Sequence, residues 1–233
     1  MSEKAKRLLF GGQTAHIGRR LTALIVSILA MGLSIAVFEM ISFGTDPCSA
    51  MNLGISRLTG ISFGSVQLLL NAALLLIVIK VNPAKIGIGT VLNMVCIGYI
   101  ADFFMGVFDS VPALGTLAFS TRILIFVPTM FMFLMGASFY TVVDMGVAPY
   151  DAMPQIIAAH GRGHSFRNVR MGWDVGALVI GYALGSTIGL VTLVTGFCMG
   201  PAIAGVAKLV SGWFDETEEG AKDGHIGIPE SAN

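Results

Sequence analysis

"MGVAPYDAMPQ", Met145 to Gln155, breaks a very apolar chain with two prolines, a glycine and an acid. "FGTDPCSAMNL", Phe43 to Leu53, is its echo. Gly44 and Gly146 stand 102 positions apart. The same spacing pairs Pro47 with Pro149, Ala50 with Ala152, Met51 with Met153 and Ile55 with Ile157. Without a gap it goes on to pair Ile86 with Ile188, Gly87 with Gly189, Thr90 with Thr192, Cys96 with Cys198 and Gly98 with Gly200. A period this long is no solenoid repeat. It is half the protein.

The rest of the chain says what each half is. Of its 233 residues 55% are hydrophobic and 12% charged, with a mean hydropathy of +0.80. Soluble domains average about 25% charged residues, so this chain lacks the polar surface that water requires. Its charges gather at the ends and in a few loops. Between them lie apolar runs of about 20 residues, enough to cross roughly 30 Å of hydrocarbon at about 1.5 Å per residue. Six spans are expected: Leu21–Ile41, Ser65–Ile79, Ile86–Phe108, Ile123–Val143, Met171–Leu184 (short for a span) and Ile188–Val210. The first run is too long for a signal-peptide core and no small-residue cleavage site follows it, so it is read as a retained span. The expected organisation is a basic cytoplasmic N-terminus over 1–20, a first repeat over 21–110, an extracytoplasmic loop over 111–121 with Pro112 and Gly115, a second repeat over 122–212 and a disordered cytoplasmic tail over 213–233.

Lys4, Lys6, Arg7, Arg19 and Arg20 precede the first span; Lys80 and Lys85 follow the second; Arg162, Arg167 and Arg170 follow the fourth. Cytoplasmic loops collect Lys and Arg, so these connections and both termini are expected inside a bacterial cytoplasmic membrane. Three spans per repeat is an odd number. The second repeat must then enter the membrane from the opposite face, the inverted arrangement common in secondary transporters. The fold class expected is therefore all-α and polytopic, with six transmembrane helices in two inverted three-helix repeats. Each repeat carries a short helix after its first span, at Pro47–Leu58 and Pro149–Ala159. Proline suits a first helical turn, and glycine before it permits a sharp bend. A helix of about 12 residues is only about 18 Å long. It either lies at the interface or dips in as a half-helix, which is tolerated where it is buried in protein or lines a wet cavity. Two half-helices would aim their positive N-terminal ends at the interior.

The stretches "GVAPYDAM", "HSFRNVRMGWDVGALVIGYALGSTIGLVT" and the following Gly200-Pro201 resemble the YczE/YitT-type family of bacterial integral membrane proteins. The matching positions are Gly146, Pro149, Tyr150 and Asp151, then Arg170 and Asp174, then Gly181, Gly185 and Gly189. In the first half "GTDPCSAM", "TGISFG", "GIGTVLN" and "GYIAD" match through Gly44, Asp46, Pro47, Gly60, Phe63, Gly64, Gly87, Gly89, Thr90, Gly98 and Asp102. The likeness runs from about Leu21 to Val210. Cys48-Ser49 departs from it, standing where relatives carry an aromatic residue and Asp, and so does Val191, standing where they carry Gly. The resemblance implies a membrane address and a polytopic fold, with transport as its functional expectation.

An ionisable side chain in a span costs roughly 2.5–3.5 kcal/mol on insertion scales and is a candidate for function. Glu39, Asp46, Asp102, Asp144, Asp151 and Asp174 qualify by position, with Arg170 one helical turn before Asp174 on the same face. Arg170–Asp174 reads either as a structural ion pair at the membrane edge or as a gate or substrate contact. Asp151 reads either as a helix cap or as a proton carrier facing a cavity. Glu39 points into the bundle or snorkels to the interface. Pro47 and Pro149 place the short helices, and Tyr150 is a further candidate for substrate contact or coupling. Asn71, Asn93 and Gln67 are polar lining or interhelical glue. "GYALG" and "GFCMG" are small-residue patterns for close helix approach. No metal site, catalytic motif, cofactor or nucleic-acid partner is expected. The two functions weighed are a small-solute carrier or channel with a midplane site for a polar or anionic solute, and a non-transporting scaffold or regulator. Either is compatible with a homo-oligomer.

Overall fold

A computed structural model describes residues 17–111, 117–161 and 165–223, with side chains to Ser211. Among these residues there are eight α-helices and no strand: α1 (Ile17–Met40), α2 (Pro47–Thr59), α3 (Phe63–Val81), α4 (Ile88–Asp109), α5 (Phe119–Val143), α6 (Pro149–His160), α7 (Phe166–Ala183) and α8 (Leu190–Asp223), with a 3₁₀ turn at Pro83–Lys85. Five of them are long and apolar enough to cross a membrane: α1, α3, α4, α5 and the Leu190–Ser211 part of α8. Large apolar side chains on these helices point outward, Leu124 at 75% exposure and Phe131 at 64% among them, as bilayer contact requires.

Two expectations differ from what is observed. The fifth span is present as helix α7, but its 18 residues include Arg167, Arg170 and Asp174 and it does not reach the apolarity of the other five. The tail expected to be disordered from residue 213 keeps helical backbone to Asp223. The rest of the tail, the first sixteen residues, Pro112, Gly115, Arg162 and His164 lie outside the described residues.

The repeat governs the helix boundaries. α1 and α5, α2 and α6, and α4 and α8 each begin 102 positions apart, and α3 and α7 begin 103 apart. Local chemistry sets the starts. Pro47 and Pro149 open α2 and α6 at the position where a missing N–H is harmless. Asp46 caps α2 by accepting from Ser49 N at 3.1 Å, and Ser62 caps α3 by accepting from Ser65 N at 3.3 Å. Gly60, in the left-handed region at φ 71°, ends α2. The breakers ahead of α2 and α6 share their backbone as well: Ser42 and Asp144 have φ 57° and 48°, and Gly44 and Gly146 have φ 78° and 113°.

The halves hold each other by exchanged contacts. Arg20 Nη1 donates to Val143 O at 3.2 Å, and Arg122 Nη1 donates to Ile41 O at 3.4 Å. Gly89 N donates to Met145 O at 2.8 Å, and Val191 N donates to Phe43 O at 3.0 Å. Each contact maps onto its partner when the halves are swapped, which is the signature of a two-fold relation. The arginine pair also sets direction. The start of α1 meets the end of α5 and the start of α5 meets the end of α1, so these central helices run antiparallel. Their shared core includes Leu24, Ile28, Phe38, Phe133 and Val143, with Phe38 edge-on to Phe133 at 5.8 Å between ring centroids.

Close backbone approach explains some of the glycines. A Cβ on Gly64 would lie 2.7 Å from Gly98 C, seating α3 on α4; one on Gly181 would lie 2.8 Å from Ala50 C, seating α7 on α2. Gly185 and Gly200 have nothing within 4 Å of such a Cβ and Gly196 has only Leu178 at 4.0 Å, so "GFCMG" makes no close helix contact of the expected kind.

Candidate functional site

The first turns of the two short helices meet. Met51 and Tyr150 pack together with Ala177, and Cys48, Leu70, Leu74 and Trp173 surround them. Cys48 and Tyr150 are equivalent positions of the two repeats. Leu70 and Leu74 lie near the middle of α3, and Trp173 and Ala177 near the middle of α7. The N-terminal ends of α2 and α6 are thus gathered at mid-height of the flanking helices, and their C-terminal ends point to opposite ends of the bundle.

A charged cluster occupies this meeting point. Arg170 donates from Nη1 to Asp151 Oδ1 at 2.6 Å and from Nε to Asp174 Oδ2 at 2.8 Å. Tyr150 OH donates to Asp174 Oδ1 at 2.9 Å. The guanidinium lies over the Tyr150 ring, 5.7 Å from its centroid, as planar arginine favours. Asn71 Oδ1 accepts from Tyr150 N at 3.3 Å, tying the start of α6 to the middle of α3. Asp174 is nearly buried at 10% side-chain exposure, whereas Arg170 and Asp151 keep 34% and 42%.

Asp46 faces this cluster from α2. Asp151 and Asp174 are the charged groups that act on its carboxylate. One of its oxygens accepts from Ser49 N; the other, Oδ2, is shielded from solvent and has no partner.

The remaining candidates are dispersed. Asp151 does not cap its helix: the N-cap of α6 is Ala148, which has no capping group, and Asp151 is paired with Arg170 instead. Glu39 is paired with Arg57 at the end of α1, and Arg57 also donates to Gly185 O. Asp102 Oδ2 accepts from Gly64 N at 2.8 Å, holding the first turn of α3. Asp144 ends α5 and lines a cavity of about 320 Å³ with Asn82, Lys85 and Gly146. Partial burial raises its carboxyl pKa, and Arg20 and Lys85 pull it back. Pro47 and Pro149 serve as the first residues of α2 and α6. Neither Arg57 nor Trp173 stands out in the sequence; Arg57's role depends on Glu39 and Gly185, which are distant in the chain.

A family model described as a family of unknown function, DUF6198, matches residues 18–208. The chain belongs to DUF6198. It is similar to the uncharacterized membrane protein YczE of Bacillus subtilis, 27% identical over 74% of this chain and 77% of that protein. An uncharacterized protein of Haemophilus influenzae is 23% identical over 79% of this chain and 82% of its own length. The YczE-type resemblance read from the motifs is therefore correct, and this DUF6198 chain is a membrane protein. No solved structure matches it significantly.

Proposed function

We propose that this DUF6198 protein is a small-solute transporter or channel of the bacterial cytoplasmic membrane, with six crossings in two inverted halves, both termini cytoplasmic, and its solute site where α2 and α6 meet. The single observation that carries this reading is the Arg170 cluster: a guanidinium on α7 joined to a carboxylate at the start of one short helix and to a second carboxylate at mid-bundle. Ionisable groups at that depth are costly and are expected at substrate paths. Discontinuous helices with their N-terminal ends turned inward are the usual frame of such sites. The exchanged contacts between antiparallel α1 and α5 support inversion. They also support a sixth crossing by α7, whose polar residues turn toward α6 instead of lipid. Two carboxylates, Asp151 and Asp174, pair with the one guanidinium and Asp46 stands near them, so a neutral polar or zwitterionic solute suits the site better than a simple anion. The reading assigns no catalytic step to any residue.

The test is solute flux. Purified protein reconstituted in liposomes is screened for counterflow of small polar metabolites, with Arg170→Ala and Asp174→Asn as variants. Flux by the native protein that is lost in folded variants supports transport. Folded, inserted native protein that moves no solute tested rejects it and leaves a scaffold.

A further inference from the structure

Among the described residues, five buried side-chain nitrogens or oxygens have no hydrogen-bond partner, and three of them fall within eight residues at the first breaker: Thr45 Oγ1, Asp46 Oδ2 and Asn52 Oδ1. Thr45 and Asn52 are completely buried as residues. A buried polar atom left unpaired costs about 1–3 kcal/mol, and each such atom calls for an explanation. Three within eight residues call for a common one.

These oxygens belong to one short stretch of chain at the start of α2. Asp46 folds over the first turn of α2, where Oδ1 accepts from Ser49 N, leaving Oδ2 over. Asn52 turns back toward the same turn, where its Nδ2 donates to Cys48 Sγ at 3.7 Å. Its one nitrogen is thereby committed and its carbonyl oxygen is not. A fourth unpartnered atom, Ser186 Oγ, adjoins Thr187, whose carbonyl would lie 3.0 Å from a Cβ on Gly44. The α7–α8 connection therefore passes beside the breaker.

We propose that this breaker binds a small monovalent cation of the sodium class, held by the carboxylate of Asp46, the carboxamide oxygen of Asn52 and the hydroxyl of Thr45. All three are oxygen ligands, and unwound backbone is where transporters coordinate sodium, there through carbonyls and half-helix C-terminal ends. A single carboxylate is too few for a protein calcium site, which gathers several. The two further carboxylates facing Asp46, Asp151 and Asp174, add negative potential, against which stands the positive end of α2. The second repeat cannot do the same: the equivalent positions are Val147, Ala148 and Pro154, none of which offers a side-chain oxygen. The repeats have divided the work, with cation ligands in the first and the Tyr150–Asp151–Arg170–Asp174 cluster in the second. The cation claim does not depend on transport, since a bound ion could serve a carrier or a scaffold.

The experiment uses the full chain purified in detergent. Choline chloride is exchanged at constant ionic strength for sodium, lithium or potassium chloride while melting is followed. A ligand bound only by the native state raises the melting temperature in a saturable way. The expected result is a saturable rise of a few degrees in sodium, absent in choline. It should vanish in Asp46→Asn, which keeps the capping oxygen but loses the charge, and in Asn52→Ala, and persist in Glu39→Gln. Equal responses to sodium, potassium and choline, or a full sodium response in Asp46→Asn, would overturn the proposal. Should Asp46→Asn not fold, Asn52→Ala and Thr45→Val decide it by the same criterion. Sodium stabilisation without solute flux would remove the transport reading alone; flux without a sodium effect would remove the cation site alone.

Discussion

Gly146 is the residue on which the second breaker turns. Its φ of 113° is closed to a side chain, and a Cβ there would lie 2.5 Å from Gly87 N. Left-handed backbone costs about 1–2 kcal/mol for other residues, and forcing an atom into a packed contact adds about 1–3 kcal/mol. Gly146→Ala should therefore lose roughly 3 kcal/mol or more by these two effects and express poorly. Gly172→Ala, inside α7 with nothing within 4 Å of the new methyl, should be neutral or gain up to about 1 kcal/mol from helix propensity. Thermal melting of the two variants checks both. Arg170 allows a second comparison. Breaking a fully buried ion pair costs about 3–5 kcal/mol, but this guanidinium is one-third exposed, so Arg170→Ala should lose less, about 1–3 kcal/mol. Arg170→Lys should fall between native and Ala, because one ammonium cannot serve Asp151 and Asp174 with the planar geometry of a guanidinium. A lysine variant melting no higher than the alanine variant would show that the planar bridge, and not the charge, holds α6 to α7.

At the scale of elements, the 102-residue offset made the helix starts legible, because a breaker of Gly, x, x, Pro fixes a boundary wherever it recurs. It did not reveal that equivalent residues of the two halves exchange contacts, since an offset says which positions correspond and not which touch. The Arg170–Asp174 pair was readable as an i, i+4 spacing. The third member, Asp151, and the stacked Tyr150 come from another helix, and no local pattern could bring them in. Met171–Leu184 reads as a span that is short for a crossing, and only packing shows where the polar groups of α7 turn. The exchanged arginines give the element-scale prediction. Arg20 caps the end of α5 and Arg122 caps the end of α1, where a cation favours the negative end of the helix dipole. Arg122→Gln should lower stability by about 1 kcal/mol. Arg20→Gln should lower it more, since Arg20 is only 5% exposed and its surroundings are desolvated. The sites lie at opposite ends of the α1–α5 pair, so the double variant should melt at the sum of the two losses. A clear departure from additivity would mean that the two caps report one shared rearrangement instead of two independent contacts.

For the whole molecule the consequence is one of sidedness. α2 and α6 start near each other and diverge, so Leu58 near the end of α2 and Ala159 near the end of α6 lie toward opposite faces of the bundle; both are exposed. In the proposed topology the positive charges nearest α6, including Lys85, which hydrogen-bonds Gln155, put its C-terminal end on the cytoplasmic side by the positive-inside tendency. The measurement starts from a chain whose Cys48, Cys96 and Cys198 are replaced by alanine, carrying either Leu58→Cys or Ala159→Cys. Intact cells treated with a membrane-impermeant thiol reagent should label Leu58→Cys, while Ala159→Cys should label only after the membrane is opened. Labelling of both from the outside would mean that the two short helices leave the bundle by the same face. The halves would then not be inverted, α7 would not cross, and the meeting of Tyr150 with Met51 would be a surface contact instead of the floor of the proposed solute path.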